Sequence, residues 1–260
     1  MKKFLPAIPA VLLFLWLLVS LHVPETDGGF DINAFGKLPV LANGRIKPLD
    51  TVARTSLLIL HGKEAISDDT GHALKPIEWL MDVMMRPAKA DNYKDFLIDN
   101  PDVLGLFKWN QSQGRYYSFT ELDPFLDQID QQSKLAENVA SSSRNLFQRE
   151  ILKLRDRIIL FNQLKNSFHN DESVDFSDEI ATFQKAVETG KKAFNDQAAG
   201  KAFSKDDLGV LGEFLSRYQF LARMSVIRPV PRQNQQEWKT VGNSLQETIR
   251  TGDVDPAIVA

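Results

Sequence analysis

The four histidines are the residues best suited to metal binding or proton transfer near neutral pH. His22, His61, His72 and His169 are never three or four residues apart, so no helical pair of metal ligands is predicted. His61 falls at the end of a predicted helix, where a protonated imidazole would cap the negative end of the helix dipole. The chain has no cysteine, which excludes thiolate metal sites, a cysteine nucleophile and haem attachment through its own thiols.

Paired carboxylates offer a second kind of chemistry, general acid–base catalysis. The pairs Asp68-Asp69, Asp171-Glu172 and Asp206-Asp207 all fall in polar connecting segments, where solvated side chains are expected. The sequence also lacks the motifs of zinc proteases, serine hydrolases, phosphate-binding loops and dinucleotide-binding folds. We therefore predict no catalytic, metal-binding or cofactor-binding residue. An envelope hydrolase that uses paired carboxylates is kept as one of three hypotheses about the function.

One segment concentrates residues with special backbone or charge properties. Asn-Gly between two short apolar runs predicts a β-hairpin near residues 38–47, because both residues tolerate positive φ. A proline then ends the second strand, and Asp50 or Thr51 is predicted to cap a helix. The candidate site residues are Asn43, Gly44, Arg45, Lys47, Pro48, Asp50, Thr51 and Arg54.

The three cations of this segment have two interpretations. Arg45, Lys47 and Arg54 can converge near the positive N-terminus of the helix and bind an anion, such as a carboxylate or a propionate. Alternatively, Arg45 and Arg54 pair with Asp50 or other acids and hold the hairpin on the helix. The residues alone leave both interpretations open.

Hydrophobic periodicity predicts that helices position this segment, so the expected fold class is mainly α. The first helix ends near His61, with Leu49, Val52, Ala53, Ser56, Leu57 and Leu60 on one face. Further helices are predicted at about 76–86, from 101, from 120, and at 144–169, 178–190, 206–227 and 237–250. The helix at 144–169 carries an apolar stripe that Lys165 interrupts once, and such a stripe requires a partner helix.

The N-terminus has the pattern of a membrane anchor. Residues 4–23 are uncharged and sixteen of these twenty are apolar, a length of about 30 Å as a helix, which matches the hydrocarbon core of a bilayer. Lys2 and Lys3 place the short N-terminal side in the cytoplasm by the positive-inside rule. A cleaved signal peptide is the rival interpretation, and both export the remainder. The predicted organisation is a cytoplasmic tip and transmembrane helix at 1–23, a linker at 24–37 and an exported helical domain at 38–260.

Charge and the C-terminal sequence complete the picture. The chain carries 31 basic and 34 acidic residues, a net charge of −3, which disfavours nucleic acid as a partner. Asp253-Val254-Asp255-Pro256 predicts the start of a new helix, followed by only four residues. Because so short a helix is unstable alone, either this tail frays or the chain is the front part of a longer one, and we favour the second interpretation.

The string from Phe35 to Arg54 resembles a segment of system II (Ccs/Res-type) cytochrome c biogenesis proteins. The matching residues are FGKLPVLANGRIKPLDTVAR, and residues 76–80, 147–149 with the following helix, and 238–252 resemble the same exported region. The resemblance thus extends over most of residues 30–256, although only the first string is specific. It implies a family that moves haem across the membrane and attaches it to exported apocytochromes.

This chain lacks the parts of that family that handle haem. The tryptophan-rich external loop, its flanking histidines and the multi-span membrane domain are absent from the sequence, so no haem ligand carries over. The resemblance therefore implies an accessory, non-catalytic component of the inner membrane with its bulk in the periplasm. Its partners would be a haem-handling membrane protein or a missing C-terminal domain, an apocytochrome c and the lipid bilayer. The alternative is a membrane-anchored ligand-binding or sensor ectodomain for an anionic ligand.

Overall fold

The computed structural model describes residues 30–68, 70–110, 112, 114–168, 176–231 and 238–259. The predicted membrane anchor and residues 24–29 of the predicted linker lie outside this range. No helix within the described ranges combines the length and apolarity needed to cross a bilayer. Residues 32–37, expected to be linker, instead form a helix, α1 (Ile32–Lys37). It begins where the Asp31 carboxylate accepts a hydrogen bond from the Ala34 amide at 2.9 Å, as a capping aspartate does.

Residues 36–260 form a compact unit, and the described part of it is mainly helical, as predicted. Besides the predicted hairpin, it contains further small antiparallel sheets. It opens with the expected hairpin, β1 (Pro39–Ala42) and β2 (Arg45–Pro48), followed by α2 (Leu49–Leu60). The six residues predicted for the inner face of α2 are its six buried residues. Three-to-four spacing alone therefore identified how this helix packs.

Short elements connect α2 to the first long helices. The helix expected from residue 120 begins at Phe119, because the Ser118 hydroxyl and the Glu121 carboxylate form a reciprocal capping box. The strand that precedes this helix, Tyr116–Tyr117, pairs with Phe96–Leu97. The elements are β3 (Ile66–Ser67), β4 (Ala73–Leu74), α3 (Pro76–Met85), α4 (Pro87–Ala90), β5 (Phe96–Leu97), α5 (Pro101–Leu106), β6 (Tyr116–Tyr117), α6 (Phe119–Leu122), a 3₁₀ turn (Asp123–Phe125) and α7 (Leu126–Glu137).

The long helix α8 (Leu146–Lys165) packs its apolar stripe against α7, α3 and α2. It begins at Asn145, which forms a capping box with Gln148, and it is shorter at both ends than predicted. On this helix Arg157 donates to the Ile59 carbonyl at 2.9 Å and to the Leu97 carbonyl at 2.6 Å. Arg157 thus supplies a donor to the Ile59 carbonyl, which lies in the last turn of α2 and receives no hydrogen bond from within the helix.

The C-terminal part is a bundle of three helices, α9 (Phe176–Ala198), α10 (Lys205–Met224) and α11 (Val241–Thr251). A short strand, β7 (Ile227–Arg228), and a last helix, α12 (Pro256–Val259), accompany them. The core of the bundle is aromatic at its centre: the Phe183 ring meets the Tyr218 ring edge-on, with centroids 4.8 Å apart. The Tyr218 hydroxyl donates to the buried Glu179 carboxylate at 3.2 Å, and Arg217 pairs with the same carboxylate at 2.9 Å.

Gly242 allows α11 to approach α10 closely, which generates a stability prediction. A Cβ at this position would lie 2.4 Å from the Tyr218 carbonyl oxygen and 2.5 Å from the Ala222 amide nitrogen. Because both atoms belong to backbone, we expect Gly242→Ala to reduce the free energy of unfolding by about 2–3 kcal/mol. Urea denaturation followed by circular dichroism measures this loss.

Gly212→Ala on α10 is the matched control, since its added Cβ meets nothing within 4 Å. We expect this control to be stabilised slightly, by about 0.5–1 kcal/mol, because alanine restricts the unfolded chain and favours helix. Equal stability changes in the two variants would contradict the close approach of α10 and α11.

Candidate functional site

The turn of the hairpin confirms the conformation predicted for Asn-Gly. Asn43 has φ 53° and Gly44 has φ 73°, so both central residues occupy the left-handed region. Two positive φ values match the right-handed twist of the flanking strands and set a two-residue connection. The resulting register pairs Pro39 with Pro48 and Ala42 with Arg45.

The register also fixes which face each cation occupies. Arg45 lies opposite Ala42 and Lys47 lies opposite Val40, so both cations share a sheet face with buried apolar residues. Because β2 is an edge strand, their side chains extend from the border of that face. Neither cation has an ion-pair partner among the residues that the structure describes. Ile46 points to the opposite face and is 54% exposed.

The predicted start of α2 requires a correction. The helix begins at Leu49 with Pro48 as its N-cap, and no side chain caps it. Asp50 and Thr51 therefore lie inside the first turn and are not caps. Proline has φ −62° at this position and ends the strand in the same residue, so the chain enters the helix two or three residues earlier than predicted. The Asp50 carboxylate still lies at the positive end of the helix dipole.

The contacts of Arg54 agree with the second interpretation, in which the cations pair with acidic side chains. Its guanidinium binds Asp50 at 2.7 Å and Glu64 at 3.1 Å, and these hydrogen bonds raise its pKa. The pair with Asp50 joins residues four apart on α2, while the pair with Glu64 fixes the chain just after the helix ends. The charge of Arg54 is thus compensated, whereas Arg45 and Lys47 present theirs on β2.

The hairpin is joined to the distant C-terminal part of the chain. β7 extends the sheet by pairing Arg228 with Leu41 and Ile227 with Ala42, which gives the order β2-β1-β7. After β7 the chain is extended, because its Pro-Val-Pro sequence cannot continue a helix, and Val230 forms a bridge to Lys239. This arrangement places the hairpin beside the residues that precede α11.

A cavity of about 460 Å³ lies where these parts meet. Its walls include Val40 of the hairpin, Leu49 of α2, Val230, Trp238 and Ile258 of α12. No local sequence pattern predicts this cavity, because its walls come from segments that are far apart in the chain. The sequence signal was the run of prolines around Val230, which predicts an extended segment but not what the segment packs against.

The histidines in the described ranges have structural contacts. The His61 ring stacks on Tyr116 with centroids 4.1 Å apart, and its Nδ1 lies 3.0 Å from the Lys94 carbonyl oxygen. Burial lowers the pKa of His61, which favours a neutral ring. His61 is the C-cap residue of α2, as its position predicted, while its lowered pKa does not favour the protonated form expected there. His22 and His169 lie outside the described residues.

The paired carboxylates within the described ranges serve local structure. Asp68 accepts hydrogen bonds from the Thr70 hydroxyl at 2.7 Å and from the backbone amides of Thr70 and His72, which build a turn and lower the pKa of Asp68. Asp206 and Asp207 lie in the first turn of α10, where negative charge stabilises a helix. Asp69, Asp171 and Glu172 lie outside the described residues.

A buried carboxyl that the sequence did not reveal is Asp95. It has no solvent exposure, and one of its oxygens accepts a hydrogen bond from Trp79 Nε1 at 3.0 Å while the other has no partner. Burial raises the pKa of Asp95 well above its ordinary value. Within the described ranges, no three histidine, aspartate or glutamate side chains group as a metal site would require.

No protein-family model matches this chain, and no curated protein matches it either.

The left-handed conformation of Gly44 generates a prediction about the hairpin. Gly44→Ala places a Cβ in a conformation that costs about 1–2 kcal/mol for an L-residue, although the space around it is open. We expect the free energy of unfolding to fall by about 1 kcal/mol, measured by urea denaturation. Gly105→Ala on α5, equally open but without positive φ, is the control. A loss in the control as large as at Gly44 would contradict a conformational origin.

Asp95 generates a prediction about pH dependence. Between the ordinary carboxyl pKa and the raised value, the folded protein holds a proton that the unfolded chain has released, so stability falls as pH rises through this range. Asp95→Asn mimics the protonated acid and removes this dependence. We expect the variant to gain stability relative to the parent on going from pH 4 to pH 7, measured by thermal unfolding across that range.

The exposed Asp253→Asn controls for the loss of one acidic group. A stability difference between Asp95→Asn and the parent that is constant with pH, or that shrinks toward pH 7, would contradict a protonated Asp95.

Proposed function

We propose that this chain is a non-catalytic, membrane-anchored component of c-type cytochrome biogenesis in a system II haem-attachment complex. It holds the apocytochrome or scaffolds the complex on the periplasmic side of the inner membrane. Haem is handled by a partner membrane protein or by a further domain. Residues 1–23 supply the anchor, with the short N-terminal end in the cytoplasm.

The observation that carries this proposal is that the resembling string coincides with one structural unit. Residues 38–54 form the hairpin and the first turns of α2, with Pro48 as the residue at which the strand ends and the helix begins. The Leu49 amide at the start of the helix donates to the Leu38 carbonyl at the start of the hairpin at 3.0 Å. Arg54 is held inside this unit by Asp50, while Arg45 and Lys47 remain available on its edge. The resembling residues therefore include the exposed edge of β2 as well as residues that stabilise the fold.

An edge strand suits a partner that lacks its own folded structure. The outer edge of β2 offers backbone hydrogen-bonding groups to an extended chain, which can add to the sheet as a fourth strand. An apocytochrome before haem attachment is such a chain, because haem supplies much of its core. Ile46, exposed between the two cations, gives an apolar contact beside this edge.

Photo-crosslinking in cells tests this proposal. A photoreactive amino acid replacing Ile46 in the full chain should form covalent products with an apocytochrome c or with the haem-handling membrane protein. Leu135 on α7 is the matched control position, because it is 55% exposed against 54% for Ile46. Products at Ile46 that contain neither partner, or equal yields at both positions, would contradict the proposal.

The second candidate function is a membrane-anchored binding or sensor ectodomain for an anionic ligand. The observation that favours it is that Arg45 and Lys47 have no ion-pair partner among the described residues. In this case Arg45→Ala with Lys47→Ala abolishes binding of a small dicarboxylate such as succinate, followed by calorimetry, while the fold stays intact by circular dichroism. The crosslinked products at Ile46 would then be absent.

A further inference from the structure

The alternation of hydrogen bonds in the hairpin determines which backbone groups its outer edge presents. In an antiparallel pair of strands, residue pairs that exchange both hydrogen bonds alternate with pairs that exchange none. The Leu49 amide donates to the Leu38 carbonyl at 3.0 Å, and counting from this bond along the register places Ile46 in a pair that exchanges none. The amide and the carbonyl of Ile46 therefore point away from β1, toward the edge of the sheet that no described strand covers.

Pro48 restricts this edge to one backbone donor. It lies two residues after Ile46, so its backbone faces the same edge, but proline has no N–H group. Within β2, Ile46 thus supplies the only outward donor and, beside it, an outward acceptor. An added antiparallel strand gains both of these hydrogen bonds only when one of its residues lies directly opposite Ile46. This requirement sets the register of the added strand.

The register in turn determines which side chains of the added strand meet the cations. The residues on either side of its central residue lie opposite Arg45 and Lys47, because side chains alternate between the two faces of a sheet. Neither cation has an ion-pair partner among the described residues. Opposite charges directly across a strand pair are stabilising, so acidic residues suit both flanking positions. The central residue shares the face of Ile46, which is apolar and 54% exposed, so an apolar residue suits that position.

We propose that the outer edge of β2 recognises an extended segment with the order acidic–apolar–acidic. The segment adds as an antiparallel strand whose central residue exchanges two hydrogen bonds with Ile46, while its flanking carboxylates pair with Arg45 and Lys47. This inference rests on the proposed function and states which segment of an unfolded partner is bound. Backbone pairing supplies affinity for an extended chain, and the two cations select its charge pattern.

Amide NMR of the full chain in phosphatidylcholine nanodiscs tests this proposal with short synthetic peptides. The probe is acetyl-Thr-Glu-Val-Glu-Thr-amide, which should shift the Ile46 amide signal saturably. The matched peptide with glutamine at both glutamate positions should bind about fivefold more weakly, because two cross-strand ion pairs are lost. The glutamate peptide N-methylated at valine keeps both charges but cannot donate to the Ile46 carbonyl, and it should give no saturable shift. Equal affinity of all three peptides, or no saturable shift with any of them, would overturn the site.

A charge-reversed variant tests the role of the two cations directly. Arg45→Glu combined with Lys47→Glu should reverse the preference, so that the peptide with lysine at both glutamate positions binds more tightly than the glutamate peptide. An unchanged indole signal of Trp79 shows that the variant is folded. The milder Arg45→Gln combined with Lys47→Gln should bind the glutamate and glutamine peptides equally, and it decides the question if the reversed variant does not fold. A folded variant of either kind that still prefers the glutamate peptide would contradict the proposal.

The photo-crosslinking at Ile46 separates this inference from the proposed function. Crosslinks to an apocytochrome or to the haem-handling protein, without a preference among the peptides, would overturn the acidic–apolar–acidic site and leave the proposed function standing. The peptide preference without such crosslinks would support the site and overturn the proposed function.

Discussion

The pairing of β1 with β7 is the contact on which the hairpin and the cavity both depend. Leu41 and Ala42 pair with Arg228 and Ile227, so residues near the start of the described chain are joined to residues near its end. Closing so long a loop is entropically costly, and the burial of Ile227 and Ala42 in the sheet helps to offset this cost. Without this pairing, Val230 and Trp238 would have no wall opposite them, and β1 would become a second open edge.

Cations at the apolar interfaces hold the other helices in place. The predicted interruption of the α8 stripe at Lys165 is a contact and not a defect: its ammonium binds the Asp91 carboxylate at 2.7 Å and lies over the Phe119 ring at 4.5 Å. Arg157, about two helix turns before it, binds two carbonyls from other elements. Burial lowers the pKa of Arg157, while two carbonyl acceptors compensate the loss of water. Polar side chains within an amphipathic stripe thus specify which elements α8 joins.

Local signals predicted local features well and failed where packing decides. The buried face of α2 and the Asn-Gly turn follow from spacing and turn chemistry, which are properties of neighbouring residues. The end predicted at Gly190 was wrong, because α9 continues to Ala198 and this glycine admits Leu211 of α10, whose Cβ would lie 2.8 Å from an added methyl. The β1–β7 pairing, the buried Asp95 and the cavity around Trp238 depend on contacts across the chain, which no local pattern encodes.

The two faces of the hairpin show why the sequence could identify the candidate site residues but not the surroundings of their side chains. Period-two alternation places Arg45 and Lys47 on one face of β2, yet only the pairing with β1 shows that this face also holds Val40 and Ala42. Two copies of such an edge repel each other through their cations, and a strand of only four residues ending in proline limits self-association. A partner without cations at the facing positions meets no such repulsion. The same charges that protect the edge against a second copy of this chain therefore leave it open to a different extended chain.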